Sequence, residues 1–108
     1  MTEPTRDQVD AMPGPTVIEF GADWCGYCQS ARPLISEVLN ELPHVRHVLV
    51  EDGKGKRLGR SFGVKLWPTL VFMLDGSELA RIVRPTSIDE IRRALAKIAM
   101  PHQYAMAR

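Results

Sequence analysis

The chain has 108 residues, of which 44% are hydrophobic and 25% are charged, and its net charge is +1. This size and composition predict one globular domain with a single core that needs no cross-links. No apolar run approaches the roughly 18 residues of a membrane-spanning helix, and the basic residues are not interleaved with aromatic residues, so we expect neither a membrane nor a nucleic acid as partner.

The first fifteen residues are rich in Pro, Thr and Asp. We interpret residues 1–15 as a tail with one short helical turn near residues 6–12, which Pro13-Gly14-Pro15 ends. Residues 16–20 then form a nearly continuous apolar run, Thr-Val-Ile-Glu-Phe. Such a run is typical of a strand that is buried on both faces in a parallel sheet.

A long helix is predicted over residues 25–41, because apolar residues recur there at three- and four-residue spacing. Pro33 lies inside this helix and is expected to kink it. A second strand covers about residues 45–50, and a short helix covers about residues 57–62. Gly63 follows the short helix, at the position where a left-handed cap is expected.

The third strand covers residues 69–74. Asp75-Gly76 follows it and is a strong hairpin signal, so residues 78–83 are predicted to return antiparallel beside the third strand. The last helix begins with Ser87 at its N-cap and Glu90 three residues later, which is the pattern of a capping box.

The order strand, helix, strand, helix, strand, hairpin strand, helix predicts an α/β fold, with helices on both faces of the sheet linking parallel strands. Pro101 is expected to close the last helix. The chain thus divides into an N-terminal tail (residues 1–15), one domain (residues 16–100) and a C-terminal tail (residues 101–108). Ligands bind such sheets at the carboxyl ends of the parallel strands, and Cys25 lies just beyond the end of the first strand.

Cys25 and Cys28 are the only two cysteines, and two residues separate them at the start of the long helix. A helix N-terminus stabilises a thiolate, so the Cys25 thiol is expected to ionise more readily than a free cysteine. Such a pair exchanges disulfides: Cys25 attacks a substrate disulfide, and Cys28 resolves the mixed disulfide. The N-terminus lacks the pattern of a secretion signal. We therefore expect a reducing cytoplasm, where such pairs are more often catalytic or metal-binding than structural.

A metal site is the alternative interpretation of the cysteines. His44 and His47 follow Cys28 at spacings similar to those of a zinc site, but only two residues separate them instead of the usual three to five. The helix would also carry His44 about 20 Å from the cysteines, at 1.5 Å per residue. A copper-chaperone motif is a further alternative for the cysteine pair. We expect no bound metal or cofactor, and interpret His44, His47 and His102 as surface residues.

Several separated features, in this order along the chain, resemble the thioredoxin family over residues 16–99. They are Phe20 with the segment Ala22-Asp23-Trp24-Cys25-Gly26-Tyr27-Cys28, Pro33 five residues after the second cysteine, the segment Phe62–Thr69, the hairpin turn Asp75-Gly76 and the helix cap Ser87. The resemblance implies a thioredoxin-like α/β fold: a central mixed sheet of parallel strands plus one antiparallel hairpin strand, helices on both faces and a shortened N-terminus. It also implies that Pro68 is cis and faces the disulfide.

Four residues depart from the usual pattern of the family. Glu19 stands where the family has a buried aspartate, and Tyr27 replaces the proline between the cysteines, which resembles bacterial disulfide isomerases. Trp67 precedes the proline where a smaller aliphatic residue is usual. Arg84 falls where a glycine normally helps to form the flat substrate-binding surface. These departures bear on the reduction potential and the substrate rather than on the dithiol chemistry.

The residues and the resemblance together indicate two groups of site residues. The catalytic group is Cys25 as nucleophile, Cys28 as resolving thiol and Glu19, held partly neutral by burial, as proton acceptor for Cys28. The substrate-binding group comprises Trp24, Gly26, Tyr27, Trp67, Pro68, Thr69 and Arg84. The alternatives are that Glu19 reaches solvent at a sheet edge, that Trp67 packs in the core, and that Arg84 is simply solvated.

We expect a monomeric protein disulfide oxidoreductase, most simply a thioredoxin-like disulfide reductase without a bound cofactor. Its partners would be proteins that contain disulfides, and a reductase or a small thiol that restores the dithiol. Two alternatives stay open from the sequence. One is a more oxidising oxidase or isomerase, which Tyr27 and Trp67 suggest; the other is a non-catalytic binding or assembly module that uses the cis-proline surface.

Overall fold

The computed structural model describes residues 3–106, with side chains for residues 3–99. Within this range the elements are α1 (Arg6–Asp10), β1 (Pro15–Gly21), α2 (Gly26–Asn40), β2 (Arg46–Glu51), α3 (Arg57–Ser61), β3 (Thr69–Leu74), β4 (Ser77–Val83) and α4 (Ile88–Met106). The predicted bounds agree with these to within two residues, except at the end of α4. Among the described residues, no helix combines the length and the apolar character that crossing a membrane requires.

The strands form one sheet in the order β2-β1-β3-β4. β1 pairs with β2 in parallel and with β3 antiparallel, and β3 pairs with β4 antiparallel. The sheet is therefore mixed, as predicted, but β3, rather than the hairpin strand β4, runs against the other three. The five residues of α3 span only about 7.5 Å, too short to carry the chain back along a strand of about 20 Å. The chain re-enters the sheet at the end where β2 left it, since Glu51 of β2 pairs with Gly21 and Thr69 of β3 pairs with Phe20.

Helices cover both faces of the sheet, as predicted. Val17 of β1 points to the face of α2 and α4, whereas Ile18 and Phe20 point to the face of α1 and α3. The first buried cluster comprises Val17, Ala31, Ile35, Val38, Val45, Leu70, Phe72, Ile82, Ile91, Ala94, Leu95, Ile98 and Ala99. The second comprises Val9, Ile18, Phe20, Val50, Leu58, Phe62, Val71 and Met73. β1 is thus buried on both sides, which explains why its sequence is nearly continuously apolar.

Two turns adopt the backbone conformations that their sequences predict. Gly63 has a φ of 69° and donates its N–H to the carbonyl oxygen of Arg60 at 3.0 Å, which caps α3. Asp75 and Gly76 have φ values of 50° and 83°, as a two-residue hairpin turn requires. β4 is therefore held directly beside β3.

The two ends of α4 differ in part from the prediction. The Ser87 hydroxyl accepts the N–H of Glu90 at 3.2 Å, as expected of an N-cap, but the Glu90 carboxylate accepts the N–H of Thr86 at 3.2 Å. The expectation that Pro101 closes the helix is wrong, because α4 continues to Met106. Proline removes the hydrogen bond of its own missing N–H and its ring crowds the carbonyl of the residue four positions earlier, but the N–H groups beyond it can still continue the helix.

The segment before β1 packs on the sheet. Thr5 caps α1 in a capping box with Gln8, and Val9 is buried in the second cluster. Arg6 contacts α3: its guanidinium carbon lies 3.7 Å from the ring centroid of Phe62. The division of the chain at residues 16 and 100, and the kink in α2, stay predictions.

Replacing Gly76 by alanine is expected to destabilise the fold. A Cβ at this position, where φ is 83°, would overlap the carbonyl oxygen of Asp10 at the end of α1. Gly63→Ala is the matched control, because Gly63 also has a positive φ but has open space around it. Urea unfolding should show a loss of about 1 kcal/mol for Gly63→Ala and a clearly larger loss for Gly76→Ala. Equal losses would contradict the contact between the hairpin and α1.

Candidate active site

Cys25 occupies the N-cap of α2. Its Sγ accepts the backbone N–H of Cys28 at 3.3 Å, so the side chain satisfies one of the free N–H groups at the helix start. Burial raises the pKa of the Cys25 thiol, but hydrogen bonds with Cys28 and the Tyr27 N–H, together with the charge of Arg84, hold that pKa below its ordinary value. Cys25 is therefore the first thiol of the pair to ionise.

Cys28 lies in the first turn of α2 and is fully buried. Burial, followed by its hydrogen bond with the Cys25 thiol, raises the pKa of Cys28 to about 11. Its Sγ packs against Gly21 so closely that a Cβ on that residue would lie 2.6 Å from the sulfur. Both cysteines are free thiols. The two thiols therefore differ in the property that decides their order of reaction.

The segment that precedes β3 faces Cys25. The Trp67–Pro68 peptide bond is cis, and the Trp67 carbonyl oxygen lies 4.0 Å from the Cys25 Sγ. The Trp67 ring meets the ring of Trp24 edge to face, with 5.5 Å between centroids. Its Nε1–H donates to the carboxylate of Asp52 at 2.9 Å. Trp67 is thus half-buried and borders the thiol on one side.

Arg84 bridges the cis-proline segment and the start of α2. Its backbone has a φ of 53°, and its N–H donates to the Pro68 carbonyl oxygen at 2.9 Å. The side-chain Nε–H donates to the Trp67 carbonyl oxygen at 2.8 Å. The guanidinium carbon lies 3.8 Å from the ring centroid of Tyr27. The alternative of a simply solvated arginine is therefore wrong.

The remaining predicted substrate-binding residues surround the thiols. Trp24 and Tyr27 are 75% and 59% exposed, and Gly26, the first residue of α2, is exposed between the cysteines. Thr69 differs, because it is buried and its hydroxyl donates to the Leu66 carbonyl oxygen at 2.6 Å. The Thr69 side chain therefore holds the turn before β3 and does not face the surface.

Glu19 lies on β1, in the interior of the sheet, and its side chain is only 3% exposed. The alternative of an edge residue that reaches solvent is therefore wrong. Its Oε1 is 2.9 Å from the His47 Nε2, and its Oε2 is 3.9 Å from the Arg32 Nε. A buried carboxylate is costly without polar or charged partners, and these two side chains supply them.

Arg32 links the surroundings of Glu19 with those of Cys28. Its charge offsets part of the rise in the pKa of Cys28. A cavity of about 700 Å³ is lined by Glu19, Arg32 and Gly21, the glycine that Cys28 contacts. A space of this size, with the charged side chains of Glu19 and Arg32 in its lining, has room for several water molecules.

Within residues 3–99, no group of three or more His, Cys, Asp or Glu side chains is placed to hold a metal ion. His47 contacts Glu19, and His44 is exposed. The side chain of His102 lies outside the described residues.

Four residues that shape the site were missed as site residues in the sequence: Gly21, Arg32, His47 and Asp52. A glycine at the end of a buried strand can signal a close approach, so Gly21 carried a usable signal. Asp52 also carried one, because it follows β2 at the carboxyl end of the sheet, where ligand sites collect. Arg32 and His47 carried none, because each meets Glu19 from a different element.

The chain is similar to known proteins over most of its length. The family model for Thioredoxin matches residues 3–97. The structure of thioredoxin 2 from Pseudomonas aeruginosa PAO1 in its reduced form is 55% identical, with 89% of each chain covered and a TM-score of 0.80. Thioredoxin H-type 1 of Nicotiana tabacum is 32% identical over 79% of this chain and 67% of its own length. The thioredoxin of Chlamydia trachomatis is 32% identical over 78% of this chain and 82% of its own length.

These matches agree with the mixed four-stranded sheet and with the cysteine pair at the start of α2. A family match that spans residues 3–97 covers both thiols and the cis-proline segment. The chain therefore belongs to the thioredoxin family and is a thiol–disulfide oxidoreductase.

Proposed function

We propose that this protein reduces protein disulfides, with Cys25 as the attacking thiol and Cys28 as the resolving thiol. The observation that carries this assignment is the N-cap position of Cys25, whose Sγ accepts the Cys28 N–H at 3.3 Å. A thiolate is stabilised at that position, whereas Cys28 is buried and its pKa is raised to about 11. The similarity to thioredoxins favours a reductase over an oxidase or isomerase.

The proposed reaction proceeds in two exchanges. The Cys25 thiolate attacks one sulfur of the substrate disulfide, so that a mixed disulfide forms and the other substrate sulfur leaves as a thiolate. Cys28 then loses its proton and attacks the Cys25 sulfur, which releases the second substrate thiol. The substrate gains two electrons and two protons, and the protein keeps a Cys25–Cys28 disulfide. A reductase or a small thiol then returns the protein to the dithiol form.

The substrate would bind along the rim of the thiols. We assign this rim to Trp24, Gly26, Tyr27, Trp67, Pro68 and Arg84, and to the backbone of Thr69. Trp24 and Tyr27 are exposed next to Cys25 in the chain, and the Trp67 carbonyl oxygen, just before Pro68, lies 4.0 Å from the Cys25 Sγ. An extended segment of the substrate can pair with such a backbone edge, as in other complexes formed by strand addition.

Glu19 is proposed to accept the proton of Cys28 during the second exchange, through water. The support is the cavity that borders Glu19 and reaches Gly21, against which the Cys28 sulfur packs. His47 contacts Glu19 and is itself exposed, so it can pass the proton on to solvent. The His47 Nε2 lies 2.9 Å from the Glu19 carboxylate, which is within hydrogen-bonding distance.

We further propose that the protein works as a monomer in the cytoplasm and carries no bound cofactor, since the exchange needs only the two sulfurs. A reducing compartment suits a reductase, because its dithiol must be regenerated there. A reduction potential of about −270 mV would suit a reductase, whereas about −120 to −180 mV would suit an oxidant. Sedimentation of the reduced protein as a dimer would contradict the monomer.

The pH dependence of alkylation tests the ionisation of Cys25. Because its pKa is lowered, iodoacetamide should react with the reduced protein with an inflection at a lower pH than it shows with free cysteine. As the pH falls through that inflection, the thiolate is protonated and the rate declines. Cys25→Ser should abolish this inflection, since burial, the largest cause of the raised pKa of Cys28, persists without the Cys25 thiol. A first inflection at or above that of free cysteine would disprove the assignment.

Trapping of the mixed disulfide tests the roles of the two cysteines. Cys28→Ser should accumulate a covalent complex with insulin that dithiothreitol releases, because the second exchange is blocked. Cys25→Ser is the matched control, because it also replaces one sulfur by oxygen. It should neither reduce insulin nor form the complex. Non-reducing gel electrophoresis distinguishes the two. A complex in the Cys25→Ser protein would reverse the assignment.

Glu19→Gln tests the proton acceptor, because the amide keeps the size of the side chain but accepts no proton at neutral pH. Release of reduced substrate in single-turnover measurements is expected to slow, by on the order of 100-fold. Glu51→Gln is the matched control, since Glu51 is an exposed residue of β2 that borders the same cavity. Equal rates for the two variants would rule out Glu19 as the acceptor.

A further inference from the structure

Arg84 places a charged side chain where the backbone favours glycine. Its φ of 53° lies in the left-handed region, which glycine adopts most readily. The side chain crosses from β4 to the start of α2, since it contacts both the Trp67 carbonyl oxygen and the Tyr27 ring. It therefore lies between the cis-proline segment and Tyr27, within the rim to which we assign substrate binding.

The guanidinium of Arg84 is close to the reacting sulfur. The Trp67 carbonyl oxygen is 4.0 Å from the Cys25 Sγ and 2.8 Å from the Arg84 Nε. These two distances limit the separation of the Sγ and the Nε to about 7 Å, which is two residues of an extended strand. A group one or two residues from the attacked cysteine can therefore reach the guanidinium.

Arg84 changes what the Trp67 carbonyl can offer to a substrate. A carbonyl oxygen has two lone pairs and a guanidinium has five N–H donors. Arg84 uses one of each in its bond to Trp67. One acceptor site of the Trp67 carbonyl is therefore occupied, while the other N–H donors of the guanidinium take no part in this bond.

Four other arginines among residues 3–99, Arg6, Arg32, Arg81 and Arg92, each lie within 4.0 Å of a carboxylate. Arg84 instead contacts a neutral carbonyl and an aromatic ring. Its charge is thus not neutralised by a carboxylate in the described part of the chain. The exposed side chains Tyr27, Leu66 and Val83 of the same region are 59%, 49% and 44% accessible and carry no carboxylate. The Asp52 carboxylate is hydrogen-bonded to the Trp67 Nε1–H.

We propose that Arg84 selects disulfide substrates that carry a carboxylate within two residues of the attacked cysteine. This inference rests on the proposed reduction of disulfides at Cys25. The carboxylate would accept hydrogen bonds from the free guanidinium N–H groups, which form strong paired contacts with such anions. This ion pair would thereby compensate for the hydrogen bond that Arg84 makes less available to the substrate at the Trp67 carbonyl.

The test uses three peptide disulfides of one length that carry Asp, Asn or Lys beside the cysteine. The protein should prefer the Asp peptide over the Lys peptide by about 10-fold in kcat/KM at low salt, and the preference should shrink as salt is added. Arg84→Gln and Arg84→Gly should bring this ratio below about threefold. Arg84→Lys should retain part of it. Glycine suits the local φ, so Arg84→Gly guards against misfolding.

Arg81→Gln is the matched control, because it removes the same charge from β4 at a guanidinium that Glu78 already binds. This variant should keep the preference for the Asp peptide. If Arg84→Gln slows all three peptides equally, Arg84 only positions the loop and the proposal is overturned. If the unmodified protein reduces neither the peptides nor insulin, the proposed disulfide reduction itself is wrong. If it reduces insulin and the peptides without preferring the Asp peptide, only the role of Arg84 is wrong.

Discussion

The site depends on one interaction: the backbone N–H of Cys28 donates to the sulfur of Cys25 at the start of α2. A helix begins there with N–H groups that have no partner in the chain, and the sulfur supplies one. The same first turn carries Cys28 inward, where it is buried against Gly21. One helix start thus holds two identical side chains in opposite environments, one that favours the thiolate and one that favours the thiol.

The carbonyl oxygen of Trp67 is the second organising element. It lies beside Cys25 and accepts a hydrogen bond from Arg84, while the indole of the same residue donates to Asp52. Asp52 itself occupies space that any side chain at position 59 would need, so Gly59 and Asp52 pack as a pair. The orientation of the tryptophan is therefore set by the loop after β2 and by α3. The thiol thus faces a surface built from three parts of the chain.

The buried Glu19 shows how a charge is kept inside the sheet. Its two oxygens face His47 on β2 and Arg32 on α2, so neighbouring elements share the cost of its burial. Arg32 also acts on Cys28, because it follows that residue on the same helix. The polar network and the dithiol are therefore coupled through α2, although the carboxylate enters from β1.

The sequence alone determined the local structure: the apolar run of β1, the spacing of α2, the turn at Asp75-Gly76 and the cap at Gly63. It also located the dithiol, because the two cysteines lie within four consecutive residues at a helix start, and this local arrangement is enough for disulfide exchange. The tertiary structure alone decided the direction of β3, the continuation of α4 past Pro101, the partners of Glu19 and the path of the Arg84 side chain. Each of these depends on residues that the fold brings together from distant parts of the chain, or on a balance between small opposing free energies. Periodicity and capping patterns depend only on the nearest few residues, so they could not predict these features.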